Sequence, residues 1–237
     1  MNFGRVQLRW GAVAVVLAFM LLVSGPLRAQ VAVNAGIDSD YRFRGLSLSH
    51  GQPDIRLALS YDHSSGAYAG LSLIGAGGNK DGVRLLGYVD YAGFVMRPRR
   101  GPAWDVGITN MHVQSSFRDR LSYDFSEVYA GVAGDHVSFR LSYAPKYFGR
   151  PWQTLYADLS GGKRLSPHWR AFAHAGMLTP INGPFLSPRY DLRAGVAVSV
   201  RTYEVQMAWT RSNPVPTYPG QYVYEGDGLL VTATAFF

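Results

Sequence analysis

The stretch LLVTATAFF, residues 229–237, decides the fold of this chain. Its apolar positions alternate and share one face of an extended strand: Leu229, Val231, Ala233, Ala235 and Phe237. A strand with an apolar outward face can cross a bilayer only when neighbouring strands pair all of its backbone groups. The stretch therefore predicts the last strand of a closed outer-membrane β-barrel.

The amino-terminal segment has the features of a targeting peptide. Arg5 and Arg9 precede an apolar run that ends near Val23, and the small residue Ala29 marks an expected cleavage point. The run is shorter than the ~20 apolar residues that a membrane-spanning helix needs. We expect residues 1–29 to be a secretory signal peptide and residues 30–237 to form the barrel.

Composition excludes several classes of protein. The chain has 23 Lys and Arg against 16 Asp and Glu, three of the basic residues lie in the signal peptide, and no basic run indicates nucleic acid binding. Cysteine is absent, which excludes disulfides and thiolate chemistry. Hydrophobic residues make up 47% of the chain while its mean hydropathy is −0.04, as expected when apolar and polar residues alternate.

The remaining chain divides into twelve segments of ~10 residues, the length of a tilted membrane strand. The predicted strands are 31–44, 54–62, 67–74, 83–97, 103–114, 125–133, 137–143, 153–165, 169–178, 192–200, 203–210 and 229–237. The clearest hairpin turns at Arg201 and Thr202, which places Val200 opposite Tyr203. The fold class is therefore all-β, a transmembrane antiparallel up-and-down β-barrel of about 12 strands.

The connections between these strands sort by length. Those that follow odd-numbered strands, such as the glycine-rich 75–82, are expected to be longer than those that follow even-numbered strands. Bacterial barrels combine short periplasmic turns, longer outer loops and an even strand number. A soluble β-sandwich would not be expected to sort its connections in this way.

Aromatic residues are expected to form two belts on the outward face, one at each membrane interface. The periplasmic belt would contain Tyr61, Trp104, Phe139, Trp169, Tyr203 and Phe237, and the outer belt Phe43, Tyr143 and Trp209.

The segment SDYRFRGLS, residues 39–47, followed by Gln52 and Pro53, resembles the TorF-type porin family of proteobacteria, also catalogued as a domain of unknown function. Further matching motifs are 66–70, 127–131, 142–145 and 190–195. The resemblance spans the mature chain and implies an outer-membrane barrel and a pore. It supplies no substrate and no catalytic residue.

Charged residues on the inward face are the predicted lumen and selectivity elements. They are Asp38, Asp40, Arg42, Arg44, Arg56, Asp62, Arg140, Asp158, Arg170, His174, Arg193 and Glu204, with Asp90, Asp105 and Glu127 as further inward acids. Charges inside a barrel must be paired or hydrated. Two interpretations remain open: a narrow pore with selective walls, or charges that pair across the lumen and hold the wall together.

The familiar motifs of enzymes and cofactor sites are missing. There is no Gly-x-Ser-x-Gly, no His-Glu-x-x-His and no phosphate-binding loop. We predict no catalytic residue, no cofactor and no metal, so the chain is expected not to be an enzyme. One hydrolytic alternative is His174 with Asp158 and Ser160, although a hydrogen-bonded lumen histidine is the preferred interpretation.

The sequence thus predicts a passive, porin-like channel for small polar or ionic solutes in the cell outer membrane. The alternatives are a structural or adhesive barrel with a closed lumen and a lipid-modifying hydrolase. Expected partners are outer-membrane lipids, lipopolysaccharide, small solutes and the barrel-assembly machinery, which would read the final strand ending at Phe237. Basic loop residues would meet lipopolysaccharide phosphates: Lys80, Arg118, Arg120, Lys146, Arg150 and Arg189.

Overall fold

The computed structural model describes residues 30–78, 82–114, 122–183, 187–213 and 226–237. The predicted signal peptide lies outside these residues. The strands are β1 (Gln30–Asp38), β2 (Arg42–Phe43), β3 (Leu46–Ser47), β4 (Asp54–Asp62), β5 (Ala67–Gly78), β6 (Gly82–Met96), β7 (Ala103–Val113), β8 (Phe125–Ala133), β9 (Val137–Lys146), β10 (Thr154–Arg164), β11 (Trp169–Pro180), β12 (Arg189–Val200), β13 (Tyr203–Ser212) and β14 (Gly228–Phe236). Within the described part of the chain, no helix is long and apolar enough to cross a membrane.

Twelve of these strands form one closed antiparallel barrel, which confirms the predicted fold class. Each strand pairs with its neighbour in sequence, and β14 closes on β1 with Ala35 opposite Ala235. The final strand lies within one residue of its predicted bounds. Closure pairs the backbone groups of every wall strand, which is the condition for a β-structure in lipid.

Side-chain exposure follows the predicted alternation. Leu229 and Val231 on β14 are 62% and 42% exposed, whereas Leu230 and Thr232, which alternate with them, are both 6% exposed. The six aromatic residues of the predicted periplasmic belt all lie exposed near the barrel end where Gln30 and Phe237 lie. We call this the terminal end and the opposite one the loop end.

The hairpin of β12 and β13 has the predicted register, with Val200 opposite Tyr203 and Val198 opposite Val205. The connections at the terminal end are short throughout: 63–66, 97–102, 134–136, 165–168 and 201–202. At the loop end, 39–53 and 213–227 are the longest. Most of the second, residues 214–225, lies outside the described residues.

The first predicted strand, 31–44, is wrong beyond Asp38. The chain leaves the barrel wall at Ser39, whose amide donates to the Val231 carbonyl at 2.9 Å, and residues 39–53 turn into the lumen. Phe43 therefore packs against the buried interior and is not part of an outer aromatic belt. Leaving the wall buries the apolar side chains of Tyr41, Leu46 and Leu48 inside the barrel.

The predicted loop 75–82 is also wrong. β5 and β6 stay paired as far as Gly78 and Gly82, with a register shift between Ile74 and Gly75. Glycine is permitted in a strand that bends or lies close to another backbone, and Gly77 donates from its amide to the Pro53 carbonyl at 3.0 Å. The inward 39–53 segment thus supports the wall that sequence reasoning treated as a loop.

Two charged positions differ from the predictions as well. Asp90 faces outward, in register with the exposed Leu71, and accepts a 2.8 Å hydrogen bond from the Asn110 amide. Arg189 is 3% exposed and donates to the Tyr147 hydroxyl at 3.2 Å, so it is not a surface loop charge.

Candidate functional site

The inward segment 39–53, which we call the plug, is organised around the buried carboxylate of Asp40. Its Oδ1 accepts from the hydroxyls of Ser47 at 2.5 Å and Ser49 at 2.8 Å and from the Gly51 amide at 3.1 Å. Its Oδ2 accepts from Arg42 Nε at 2.7 Å. A buried carboxylate is stable only with such partners, so Asp40 holds the two ends of the plug together.

The tip of the plug is a two-residue turn, Arg44-Gly45, between β2 and β3. Both residues have positive φ, 49° and 75°, as a tight hairpin of this kind requires. A Cβ on Gly45 would lie 2.6 Å from Ser212 Cβ and 2.8 Å from Asp191 Cβ, so only glycine fits there. Left-handed backbone is costly for arginine and persists only where the surroundings hold it.

Arg44 is held by an ion pair inside the barrel. Its Nη2 lies 2.6 Å from Glu127 Oε2, and the two side chains are 7% and 9% exposed. Its guanidinium also stacks 4.0 Å from the ring centre of Tyr156. Burial by itself would lower the pKa of Arg44, but the charge of Glu127 and the hydrogen bond to it, together with Tyr147 and Tyr156, raise that pKa, so the group stays charged.

The plug crosses the whole lumen. Arg44 bonds to β8, while Arg42 Nη1 donates to the Gly226 carbonyl at 2.7 Å, just before β14. These two strands lie on opposite sides of the barrel, with five strands between them in either direction. The plug is therefore tied across the full width of the channel.

An apolar core fills the loop end of the barrel around the plug. Its buried members from the plug are Tyr41, Leu46 and Leu48, and those from the wall and loops include Ile74, Met111, Val113, Phe125, Tyr147 and Phe148. Burial raises the pKa of Tyr41, so its hydroxyl stays neutral. Among the described residues, this core packs the plug against the surrounding wall at the loop end.

Below the plug, the lumen holds a cavity of about 910 Å³. Its lining extends from the exposed turn 134–136 of the terminal end to the plug at residues 40–45 and, beside the plug, to Arg211 and Gly226. All of the predicted lumen residues except Asp62 and Glu204 line it. Asp62 lies exposed near the terminal end, and Glu204 is linked to the cavity through its partner Arg170.

Most of the predicted charges form pairs. Arg56 pairs with Asp38 at 3.0 Å, Arg140 with Asp105 at 2.9 Å, and Arg170 with Glu204 at 3.2 Å. Asp40, Arg42 and Arg44 do so too, but from the plug rather than from the first strand as predicted. These contacts support the interpretation that the lumen charges pair with one another and hold the barrel wall and the plug together.

Arg193 differs from the other cavity arginines. Within the described part of the chain it has no carboxylate within ion-pair distance; its Nη2 donates to Gln206 at 3.2 Å, and its Nε is buried without a hydrogen-bond partner. Its guanidinium lies 5.5 Å from the ring centre of Phe172. Among the described residues, no carboxylate therefore pairs directly with this guanidinium, and Asp38 acts on it from beyond ion-pair distance.

A hydrogen-bonded cluster lies beside Arg193 on β10, β11 and β12. His174 Nε2 is 2.8 Å from Asp191 Oδ1, and His174 Nδ1 is 2.9 Å from Ser160 Oγ. The Tyr156 hydroxyl donates to Asp191 Oδ2 at 3.1 Å. The predicted partner Asp158 is more distant, with its Oδ1 3.8 Å from His174 Nδ1.

Asp191 and Tyr156 are the site residues that sequence reasoning missed. Asp191 lies two residues before Arg193, which the sequence predicts to face inward, so the two side chains share a face of β12. Beginning the predicted strand before residue 192 would have identified Asp191 as a further inward residue. No three acidic or histidine side chains among the described residues are arranged to hold a metal ion.

The closed twelve-strand barrel with a charged interior defines this protein as a barrel of the outer-membrane type. The chain belongs to Gcw_chp, a family of bacterial proteins of unknown function, whose model matches residues 24–233. The TorF name of the resemblance described above is not confirmed by this match.

Solved structures with a similar fold include outer-membrane porins. The NanC porin has a TM-score of 0.59 at 10% identity, covering 88% of this chain and 100% of that one. The KdgM porin has a TM-score of 0.52 at 11% identity, covering 87% and 99%. LpxR from Salmonella typhimurium has a TM-score of 0.46 at 8% identity, covering 87% and 99%. Comparison with curated protein sequences gave no match.

Proposed function

We propose that this protein is an outer-membrane channel for small polar or ionic solutes, with the plug as its gate. The observation that carries this proposal is the 910 Å³ cavity with charged walls, which reaches the terminal end and is bounded on its other side by a segment that is not part of the wall. A wall strand cannot move without breaking the barrel, but the plug can. The fold that this chain shares with porins supports the proposal.

In this proposal the terminal end faces the periplasm and the loop end faces outward. Short turns at one end and longer loops at the other are typical of outer-membrane barrels. The exposed aromatic residues of the terminal end would mark the periplasmic interface.

Arg193 would give the channel a preference for anions. An arginine without a directly paired carboxylate among the described residues attracts a solute carboxylate or phosphate into the cavity. The paired arginines contribute less to this field because a fixed acid already lies beside each of them.

Planar-bilayer recording tests the proposal. Protein reconstituted with Glu127→Gln, which releases the plug, should conduct with a reversal potential that favours anions. Arg193→Gln in that background should move the reversal potential toward cations. Arg100→Gln removes the same charge from the exposed turn 97–102 and should leave the reversal potential unchanged. Absence of current from folded, plug-released protein would refute the channel.

A closed structural barrel is the second candidate function. The apolar core around the plug favours it, because Leu48, Tyr147 and Val113 are fully buried as in a permanent interior. If the released variants fold and do not conduct, the closed barrel becomes the better description.

A further inference from the structure

We infer that Ser160, His174 and Asp191 form a nucleophilic catalytic site inside the lumen, which hydrolyses carboxylic esters that enter the cavity from the terminal end. The three side chains point inward from adjacent strands and are joined by two consecutive hydrogen bonds of 2.9 and 2.8 Å. Nucleophile, base and orienting acid within hydrogen-bond reach are the geometric criterion for such a site on any fold.

The contacts of the imidazole fix which nitrogen acts as the base. Asp191 is an acceptor, so His174 Nε2 carries the hydrogen that it donates to Asp191. Nδ1 of the neutral ring is then unprotonated and accepts from the Ser160 hydroxyl. Tyr156 donates to the second oxygen of Asp191 and keeps that carboxylate in place.

The reaction follows from this arrangement. Ser160 Oγ attacks the ester carbonyl carbon while its proton passes to His174 Nδ1, and the resulting imidazolium is stabilised by Asp191. The C–O bond to the alcohol breaks, and the alcohol leaves with the proton from His174. Water then attacks the acyl group on Ser160 with His174 again as base, which releases the carboxylic acid and restores the serine.

The surroundings of Ser160 leave room for a substrate and supply positive charge. Ser160 lines the main cavity and also a smaller recess of about 250 Å³, and Arg140 lines both. Arg140, which pairs with Asp105 and lies 4.3 Å from the ring centre of Tyr129, brings a positive charge to the recess that Ser160 lines. With Arg193 in the same cavity, the preferred esters are small ones that carry a negative charge.

Asp158 competes for the same serine proton. Ser160 Oγ lies 3.1 Å from Asp158 Oδ1 and 2.9 Å from His174 Nδ1, so one hydroxyl hydrogen has two acceptors. If His174 is the base, Asp158 is dispensable, and Asp158→Asn should keep or increase activity. If Asp158 were the base, that variant would be inactive.

The test uses the full-length protein folded in detergent micelles, with folding checked by heat-dependent migration in gels. A fluorophosphonate probe should label Ser160, as located by mass spectrometry, and the mono-4-nitrophenyl ester of succinate should be hydrolysed faster than 4-nitrophenyl acetate. Ser160→Ala should abolish both signals. His174→Asn and Asp191→Asn should reduce the hydrolysis rate by roughly 10²- to 10⁴-fold.

Ser60→Ala is the matched control, because Ser60 is a wall-strand serine on β4 that lies outside the lining of the cavity and of the recess. It should retain labelling and hydrolysis. The inference is overturned if folded wild-type protein takes up no probe, if the probe labels serines without preference for Ser160, or if Asp158→Asn rather than His174→Asn removes activity.

Discussion

Breaking the Arg44–Glu127 ion pair should open the plug, and the structure gives the expected size of the effect. The two charged atoms lie 2.6 Å apart, and both side chains are more than nine-tenths buried. Removal of one partner from a buried pair leaves the other charge without compensation, which typically costs about 3–5 kcal/mol. Each 1.4 kcal/mol is tenfold, so Arg44→Met or Glu127→Leu should raise the open-to-closed ratio of the plug roughly 100- to 1000-fold or more.

The double variant makes this prediction specific. With both charges replaced by apolar groups of similar size, no buried charge is left unpaired, and the plug should close nearly as well as in the wild type. Single-channel recording of open probability gives the coupling between the two residues directly. His112→Gln, which removes the exposed contact between His112 Nδ1 and Asp124 Oδ1 at 3.6 Å, is the control and should leave open probability unchanged.

Two results would refute this reasoning. One is a double variant that is as open as the more open of the two single variants, because the effect would then be loss of packing rather than an unpaired charge. The other is two single variants that fold normally and stay closed, because the pair would then not hold the plug.

Three further predictions concern the plug, the seam and the orientation. Gly45→Val should displace the plug tip and make the bond after Arg42 or Arg44 cleavable by trypsin in the folded protein, whereas wild-type protein should resist; equal resistance would contradict the tight contact with Ser212 and Asp191. Cysteines at Ala35 and Ala235, which are opposite each other across the seam, should cross-link, whereas Ala35 with Ala233, one step out of register, should cross-link far less; similar yields would contradict the closing register. An epitope inserted after Pro151 should be labelled on intact cells and one after Asp135 should not; the reverse pattern would invert the orientation.

The sequence was sufficient to predict strand bounds, register and outward residues wherever a strand had one face toward lipid and one toward the interior. Alternation with period two gave the bounds of β14, the register of β12 with β13, and the outward aromatic residues of the terminal end. It failed in β6, where apolar residues occur on both faces and the outward Asp90 was placed inside. When both faces of a strand carry apolar residues, the sequence pattern does not indicate which face points outward and which points into the barrel.

The candidate site was predicted in part for the same reason. The sequence predicts inward positions for His174, Asp158, Arg170 and Arg193 because they alternate with apolar residues in clean strands, and in the structure all four line the cavity. Which of these groups touch could not be predicted, since neighbouring side chains belong to strands whose relative stagger is set by closure of the barrel. Asp191 rather than Asp158 became the partner of His174 for this reason.

What the sequence by itself determined is the wall: twelve strands, their order, and the lipid-facing side of most of them, because each depends on local alternation and short turns. What only the tertiary structure decided is the interior. The segment SDYRFRGLS continues the alternating pattern of the first strand, yet it leaves the wall at Ser39 because Asp40, Arg44 and the apolar residues around them find their partners across the lumen. Those partners come from strands far away in sequence, and only the closed barrel brings them together.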